Sequence, residues 1–386
     1  MQSYEMNTER IANEELVAFF IPSLAGGGGE KFTLNLIRGF ISRNIRVELI
    51  VNSFSGPFVN AIPKDCKVVD LKSNHFFISL FRLLKYIVRQ KPYALVSSLN
   101  HANTISLIAK IVAFWSRTKL IIVTHTNSSY AIKGARSFKS KLMPVFMFLT
   151  YWVADYVVGV SQGVTDDIKK SVPYLGSKLR TIYNPVISSD IFEKAKEPVD
   201  HPWFISKEHP VILGVGRLTK EKDFPTLLKA FALVRKEVDA RLVILGEGKE
   251  RQNLEKLAKE LGISEYVWMP GFVDNPYKYM SKASVFVLSS LYEGLSMVLI
   301  ESLALGIPVV STDCPSGPRE VLEDGKYGKL VPVSDVEALK NAIIETLSSG
   351  NDLKDNCSLK EHLQRFTIDK VANEYIEICL KDEQNE

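Results

Sequence analysis

Two cations and two carboxylates in the C-terminal half have the types and spacing to hold an extended phosphorylated ligand. Arg217 and Lys222 stand in GRLTKEK, just after the apolar run VILGV. A guanidinium can grip a diphosphate with two parallel hydrogen bonds, and an ammonium adds a compact point charge. Glu293 and Glu301 open and close EGLSMVLIE. Their separation suits two carboxylates spread along one ligand, each accepting from vicinal hydroxyls, better than a glycosidase pair acting on one bond. Gly294 frees the backbone at a strand-to-helix turn. Ser296 is expected to cap a helix running through Leu305 and ended by Gly306. The backbone N–H groups of Leu295, Ser296 and Met297 would then form an anion site. Taken singly, each feature is also what a solvated loop or a surface helix would show, so position must decide.

A second candidate lies near the N-terminus, where an apolar run ends in SLAGGGGEKF. Glycines such as Gly27 and Gly28 let a backbone approach phosphate without Cβ interference, and a following helix start offers N–H groups. The dinucleotide pattern G-x-G-x-x-G fails, because Lys31 stands where the third glycine belongs, and no G-K-[ST] follows. A flexible turn explains this loop equally well.

The elements that must position these groups follow from the alternation of short apolar runs with amphipathic stretches, the signature of parallel α/β architecture. Strands are predicted at LVAFFIPSL, RVELIVNS, ALVSSLN, LIIVTHT and YVVGVS, and again at VILGVGRL, RLVILGEG, VWMPGFV, VFVLSS and PVVSTD. Between strands, EKFTLNLIRGFISRN puts Phe32, Leu36, Ile37 and Phe40 on one helical face. The expected organisation is α/β, with two Rossmann-like domains facing across a cleft and the ligand at the strand ends. The N-terminal domain spans 1–186, a polar, proline-rich linker 187–206, and the second domain 207–365. The remainder, 366–386, is an amphipathic helix with Ile368, Val371, Tyr375, Ile376 and Cys379 or Leu380 on one face, packing back on the body.

Composition bounds the function classes. The chain has 386 residues, 46% hydrophobic and 24% charged, as an ordinary globular protein has. No uninterrupted apolar run approaches the length of a membrane-spanning helix. Glu5, Glu9, Glu14 and Glu15 give the N-terminus the wrong charge for a signal peptide. Cys66, Cys314, Cys357 and Cys379 show no metal or disulfide spacing, so a reduced cytoplasmic protein is expected. The net charge of +4 hides an asymmetry: residues 1–190 hold 23 Lys/Arg against 12 Asp/Glu, and the rest hold 25 against 32. No acid occurs between Asp70 and Asp155, where 12 Lys/Arg do.

The combination of GGGE (Gly27–Glu30), GRLTKEK (Gly216–Lys222) and EGLSMVLIE (Glu293–Glu301) resembles the retaining GT-B glycosyltransferases of family 4. NPV at Asn184–Val186, LGEGKERQNL and DCPSGPREVLEDGKYGKLVP support the resemblance, which runs from about Leu16 to Leu380. DCPSGPRE resembles members that build bacterial surface saccharides, often from UDP-hexosamines. The resemblance implies that Gly216, Arg217 and Lys222 meet the donor diphosphate, Glu301 the ribose, and Glu293 the donor sugar. Gly28 would lie against the phosphates, His125 in KLIIVTHTN near the donor sugar, and the backbone at Gly271, Phe272 and Val273 against the base. Where many relatives have E-G-F-G-L-P, this chain has EGLSMV. The family implies front-face displacement, with a donor phosphate taking the acceptor proton, so Glu293 is not assigned as a nucleophile.

The expected activity is therefore transfer of a sugar from a nucleotide-sugar, a UDP-sugar or UDP-HexNAc, to a lipid-linked or surface-polysaccharide acceptor. No D-x-D stands in a suitable context, so transfer without a metal or other cofactor is expected. Segments SNHFFISLFRLLKYIVRQKPY and KGARSFKSKLMPVFMFLTYWV mix cations with aromatics, as an interfacial helix on anionic lipid would. Lys133, Arg136, Lys139 and Lys141 are the expected membrane or acceptor face, placing the protein on the inner face of the cell membrane. No nucleic-acid module is present. An epimerase of the same fold or a non-catalytic nucleotide-sugar-binding protein would share the donor-site charges.

Overall fold

The computed structural model of the chain describes residues 15–127, 129–130, 143–206, 208–349 and 356–380. Lys133, Arg136, Lys139 and Lys141 lie outside the described residues. The described chain divides into two compact units, Ile187–Gln364 and the remainder.

The first unit holds a parallel sheet of β1 (Val17–Ile21), β2 (Val47–Val51), β3 (Lys67–Asp70), β4 (Ala94–Ser98), β5 (Lys119–Thr124), β6 (Tyr156–Gly159) and β7 (Leu179–Thr181), in the order β3-β2-β1-β4-β5-β6-β7. Its β1 reads VAFFI with every residue buried, as a central parallel strand covered on both faces must be. Helices α1 (Gly28–Ile41), α2 (Phe76–Gln90), α3 (Asn100–Val112), α4 (Met143–Thr150) and α5 (Gln162–Ser171) belong to this unit.

The second unit is built from β8 (Val211–Val215), β9 (Arg241–Leu245), β10 (Val267–Gly271), β11 (Val285–Leu288), β12 (Val309–Thr312) and β13 (Lys329–Val331), in the order β10-β9-β8-β11-β12-β13. Its helices are α6 (Ser189–Ala195), α7 (Pro202–Ile205), α8 (Phe224–Val234), α9 (Arg251–Glu260), α10 (Tyr277–Met280), α11 (Met297–Ala304), α12 (Pro318–Val321), α13 (Val336–Ser348) and α14 (Cys357–Leu363). Ile212, Leu227, Phe231, Leu242, Ile244, Val285 and Ile343 close its core. The stretch expected to be a polar linker thus carries two helices, α6 and α7.

The last helix, α15 (Ile368–Leu380), packs on α1 within the first unit. A Cβ on Gly39 would stand 2.5 Å from that of Ala372, so glycine lets the two helices approach. This second cover explains why α1 is buried beyond the expected face of Phe32, Leu36, Ile37 and Phe40. The buried stripe of α15 is Val371, Ala372, Tyr375, Ile378 and Cys379. Ile376, expected on that face, is instead partly exposed.

Candidate functional site

In the second unit the strand order reverses between β8 and β11, and the loops leaving these two strands carry Arg217, Lys222 and Glu293. Such a reversal opens a crevice at the strand ends, the usual ligand position in open α/β sheets. After β8, a one-turn 3-10 helix covers Lys220–Lys222, and Asp223 takes a left-handed conformation with φ 45°. Asp223 then accepts from the Thr226 hydroxyl at 2.7 Å, and Pro225 fixes the first turn of α8.

Across the reversal, Lys222 Nζ donates to Glu293 Oε1 at 2.7 Å, with only 16% and 11% of the two side chains exposed. Ser290 Oγ donates to the same oxygen at 2.7 Å. The loops are tied further by Leu291 N to Glu221 O at 2.8 Å and by Ser289 Oγ to Lys222 O at 2.8 Å. Thr312 Oγ1, at the end of β12, holds the Ser290 carbonyl at 2.6 Å. Beneath them Cys314 is buried; burial pushes its thiol pKa up and the Glu293 charge adds to this, so the group stays a neutral thiol. Burial likewise raises the Tyr292 phenol, with the Glu221 charge adding.

Arg217 is arranged differently. Its guanidinium is 67% exposed and pairs with the Glu221 carboxylate at 3.5 Å. Gly216 beside it has the Lys222 chain 3.5 Å from where a Cβ would stand. The β8 and β9 loops lie in contact. A Cβ on Gly246, whose φ is +143°, would fall 1.9 Å from the Gly216 carbonyl oxygen, and one on Gly248 would fall 2.2 Å from that of Leu218. Glycine in LGEG is therefore a packing requirement of the Arg217 loop.

Glu301 lies on α11 with none of its surface exposed, and Tyr277 Oη donates to its Oε1 at 3.3 Å. Ser296 occupies the N-cap position, but its side chain makes no cap bond, and its buried hydroxyl has no hydrogen-bond partner among the described residues. That corrects the expected cap: the backbone at Ser296 is extended, as at the capping residues Asp335 and Asn356, but the hydroxyl itself accepts from no helix N–H. The helix ends at Ala304, one residue short of expectation, with Gly306 left-handed at φ 72° just beyond it. Leu295 and Met297 are buried. Phe272 is 45% exposed after Gly271, and Val273 is partly buried.

The first unit has the same kind of reversal, between β1 and β4. Gly27 caps α1 in an extended conformation, and a Cβ on Gly28 would meet nothing within 4 Å. Gly29 is packed, since its Cβ would stand 2.5 Å from Leu99 Cδ2 in the loop after β4. His125 follows β5, edge-on to Phe32 at 4.7 Å between ring centroids. The residue keeps some exposed surface, but Nε2 is buried without a hydrogen-bond partner among the described residues. Burial lowers its pKa to about 4, so the ring is neutral at pH 7.

Sequence spacing missed Ser290, Tyr277 and the glycine pair at 246 and 248. Ser290 acts on Glu293 three positions on in the same loop, and Tyr277 acts on Glu301 in another helix, a pairing no local pattern encodes. The LGEG glycines follow a strand as those of a phosphate loop do, and that signal was available.

Two parallel α/β units, each reversing strand order at its centre, with a cation–carboxylate pair at one reversal, define the GT-B class of glycosyltransferases. Residues 196–361 match the family described as glycosyl transferases group 1, and residues 26–189 match glycosyltransferase family 4. The chain belongs to this family and is a glycosyltransferase.

One relative, the N-acetylgalactosamine-N,N'-diacetylbacillosaminyl-diphospho-undecaprenol 4-alpha-N-acetylgalactosaminyltransferase of Campylobacter jejuni, is 32% identical over 92% of this chain and 96% of its own length. The lipopolysaccharide core biosynthesis glycosyltransferase LpsE of Rhizobium meliloti is 26% identical over 91% of this chain and 95% of its own. The structure of Anabaena HepE in complex with UDP-glucose shares the fold, with a TM-score of 0.77 at 17% identity, covering 94% of this chain and 98% of that one.

Proposed function

We propose that the protein transfers a sugar, with retention of anomeric configuration, from a UDP-sugar to a lipid-linked saccharide. The observation that carries this reading is the Lys222–Glu293 pair closed over the β8/β11 reversal. Lys222 and the exposed Arg217 compensate the charge of the departing diphosphate, the role for which preorganised cations are most effective. These two cations supply what a divalent ion supplies elsewhere, so the reaction is proposed to run without a metal. Glu293 Oε1 is held by Lys222 and Ser290, which suits orienting donor-sugar hydroxyls rather than attacking carbon. The acceptor hydroxyl attacks C1 on the face from which the phosphate leaves. As the C1–O(phosphate) bond breaks, the leaving phosphate oxygen takes the hydroxyl proton. Glu301 is read as the ribose ligand, and the Phe272–Val273 backbone as the base contact.

The relatives' names support a hexosamine donor and an acceptor on a polyisoprenyl diphosphate, for which the first unit offers a surface. On α2, Phe77, Phe81 and Val88 are exposed along one stripe, flanked by Lys85 and Arg89. Phe114, Trp115, Phe148, Leu149 and Trp152 are exposed in the same acid-free segment. Aromatics interleaved with cations are the profile of a face resting on anionic lipid headgroups, and we assign the membrane contact there.

The test is nucleoside diphosphate release from UDP-, GDP- and ADP-sugars, with and without a short-chain polyisoprenyl-diphosphate saccharide. Release from a UDP-HexNAc that rises with the lipid-linked acceptor is expected. Release that ignores every acceptor would overturn the transfer reading, and preference for another nucleotide would overturn the donor.

A further inference from the structure

The geometry points to Tyr277 as the residue that positions Glu301 for the nucleotide ribose, an inference that rests on reading Glu301 as the ribose ligand. Glu301 is fully buried on α11, and the phenol of Tyr277, itself 6% exposed, donates to its Oε1 at 3.3 Å. A carboxylate offers about four acceptor sites over its two oxygens. The phenol uses one of these and fixes the carboxyl plane. Vicinal ribose hydroxyls need that plane at one angle to donate together. A long side chain left unpinned pays rotamer entropy whenever it must adopt that angle, so pinning it beforehand raises affinity.

The phenol is itself held from behind. Asn275 Oδ1 accepts from the backbone N–H of Tyr277 at 3.1 Å and of Lys278 at 3.4 Å, capping the short helix α10. Asn275 Nδ2 donates to the Lys194 carbonyl at 2.9 Å, and Ser281 Oγ donates to that of Ala195 at 2.8 Å. Thus α10 is fastened at both ends to α6. A fixed helix holds a fixed phenol, and the phenol holds the carboxylate. Tyr277 touches no reacting atom; it acts through Glu301.

The experiment compares UDP with 2′-deoxy-UDP by titration calorimetry, and donor KM with kcat in turnover, for the wild type, Glu301→Ala, Tyr277→Phe and Asn275→Ala. The wild type should favour UDP, and E301A should abolish the preference. Y277F should keep kcat within about twofold, raise donor KM about tenfold (~1.4 kcal/mol), and shrink the UDP preference severalfold. N275A should shift the preference in the same direction, and it carries the test if Y277F is unstable. No preference in the wild type, or none lost in E301A, would remove the ribose reading itself. A preference lost in E301A but intact in Y277F or N275A, whichever is folded, would overturn the role of Tyr277 alone. A loss of kcat and stability with an unchanged UDP to 2′-deoxy-UDP ratio would reduce it to a packing residue.

Discussion

Lys222 Nζ and Glu293 Oε1 stand 2.7 Å apart although 71 positions separate them in the chain, and both side chains are largely buried. Breaking such a pair from one side leaves a charge in a poorly solvated place. Lys222→Ala should therefore destabilise the second unit by about 2–3 kcal/mol, at the low end of buried pairs because some solvent reaches it. Activity should fall at least about 100-fold at saturating donor, since the proposed role of Lys222 is to compensate the leaving diphosphate. Arg217→Ala, on an exposed side chain, should cost activity with little change in Tm. Thermal melts beside initial rates separate the two cations, and equal Tm losses would contradict the assignment.

The glycine loops make opposite predictions. Gly246→Ala puts a methyl group 1.9 Å from the Gly216 carbonyl oxygen at a φ of +143°, so folding should suffer by about 3 kcal/mol or more. Gly28→Ala meets nothing within 4 Å and should leave Tm unchanged or slightly raised. If the turn before α1 lies against phosphate, G28A nevertheless weakens donor binding about tenfold or more. Calorimetry with UDP reads the second effect and melting curves the first.

His125 gives a pH signature. Its pKa is depressed from 6.5 to about 4 by burial, so the folded state binds fewer protons than the unfolded chain between those values. Stability from the neutral ring is fully present above pH 6.5 and is lost as pH falls toward 4. The loss amounts to at most about 3 kcal/mol. Denaturant melts at pH 7.5 and 5 should show His125→Phe losing less stability than the wild type over this interval. An equal loss would show that the ring titrates normally.

The exposed aromatics of the first unit predict lipid binding that depends on charge and apolar area together. Phe77→Ser with Phe81→Ser, both on exposed positions, should leave Tm within about 1 kcal/mol-equivalent of wild type and reduce flotation with phosphatidylglycerol vesicles severalfold. Charge reversal at Lys133, Arg136, Lys139 and Lys141 should do the same and flatten the salt dependence. Flotation that is equal on neutral and anionic vesicles would contradict the electrostatic half of the assignment.

Much of this was legible in the chain before its structure. Ten apolar runs appear as strands because buried parallel strands are continuously apolar. The three strands that the pattern missed, Lys67–Asp70, Leu179–Thr181 and Lys329–Val331, are all sheet edges. These three strands are only three or four residues long and partly covered, so they carry no apolar run; the fourth edge, β10, is longer and does. Helices α6 and α7 were read as linker because their polarity and prolines suit a loop; capping by the His201 side chain and Pro202 at the first turn starts α7 there. The four charged candidates were visible as types, but their pairing was not. Spacing suggested cations together and carboxylates together, whereas the fold joins Lys222 to Glu293, Arg217 to Glu221 and Glu301 to Tyr277. Arg217 and Glu221 are four positions apart in one loop, whereas the other two pairs join segments that follow different strands, and local periodicity carries no information about those.

Retaining transfer at the Lys222–Glu293 site, as proposed, has a direct stereochemical readout. The most direct measurement is the anomeric configuration of the new linkage, read by proton NMR after turnover of an α-linked UDP-HexNAc with a polyisoprenyl-diphosphate saccharide. An α-linked product is expected, reduced at least about 100-fold when Lys222 or Glu293 is replaced by alanine. A β-linked product, or undiminished α-product from both variants, would contradict it.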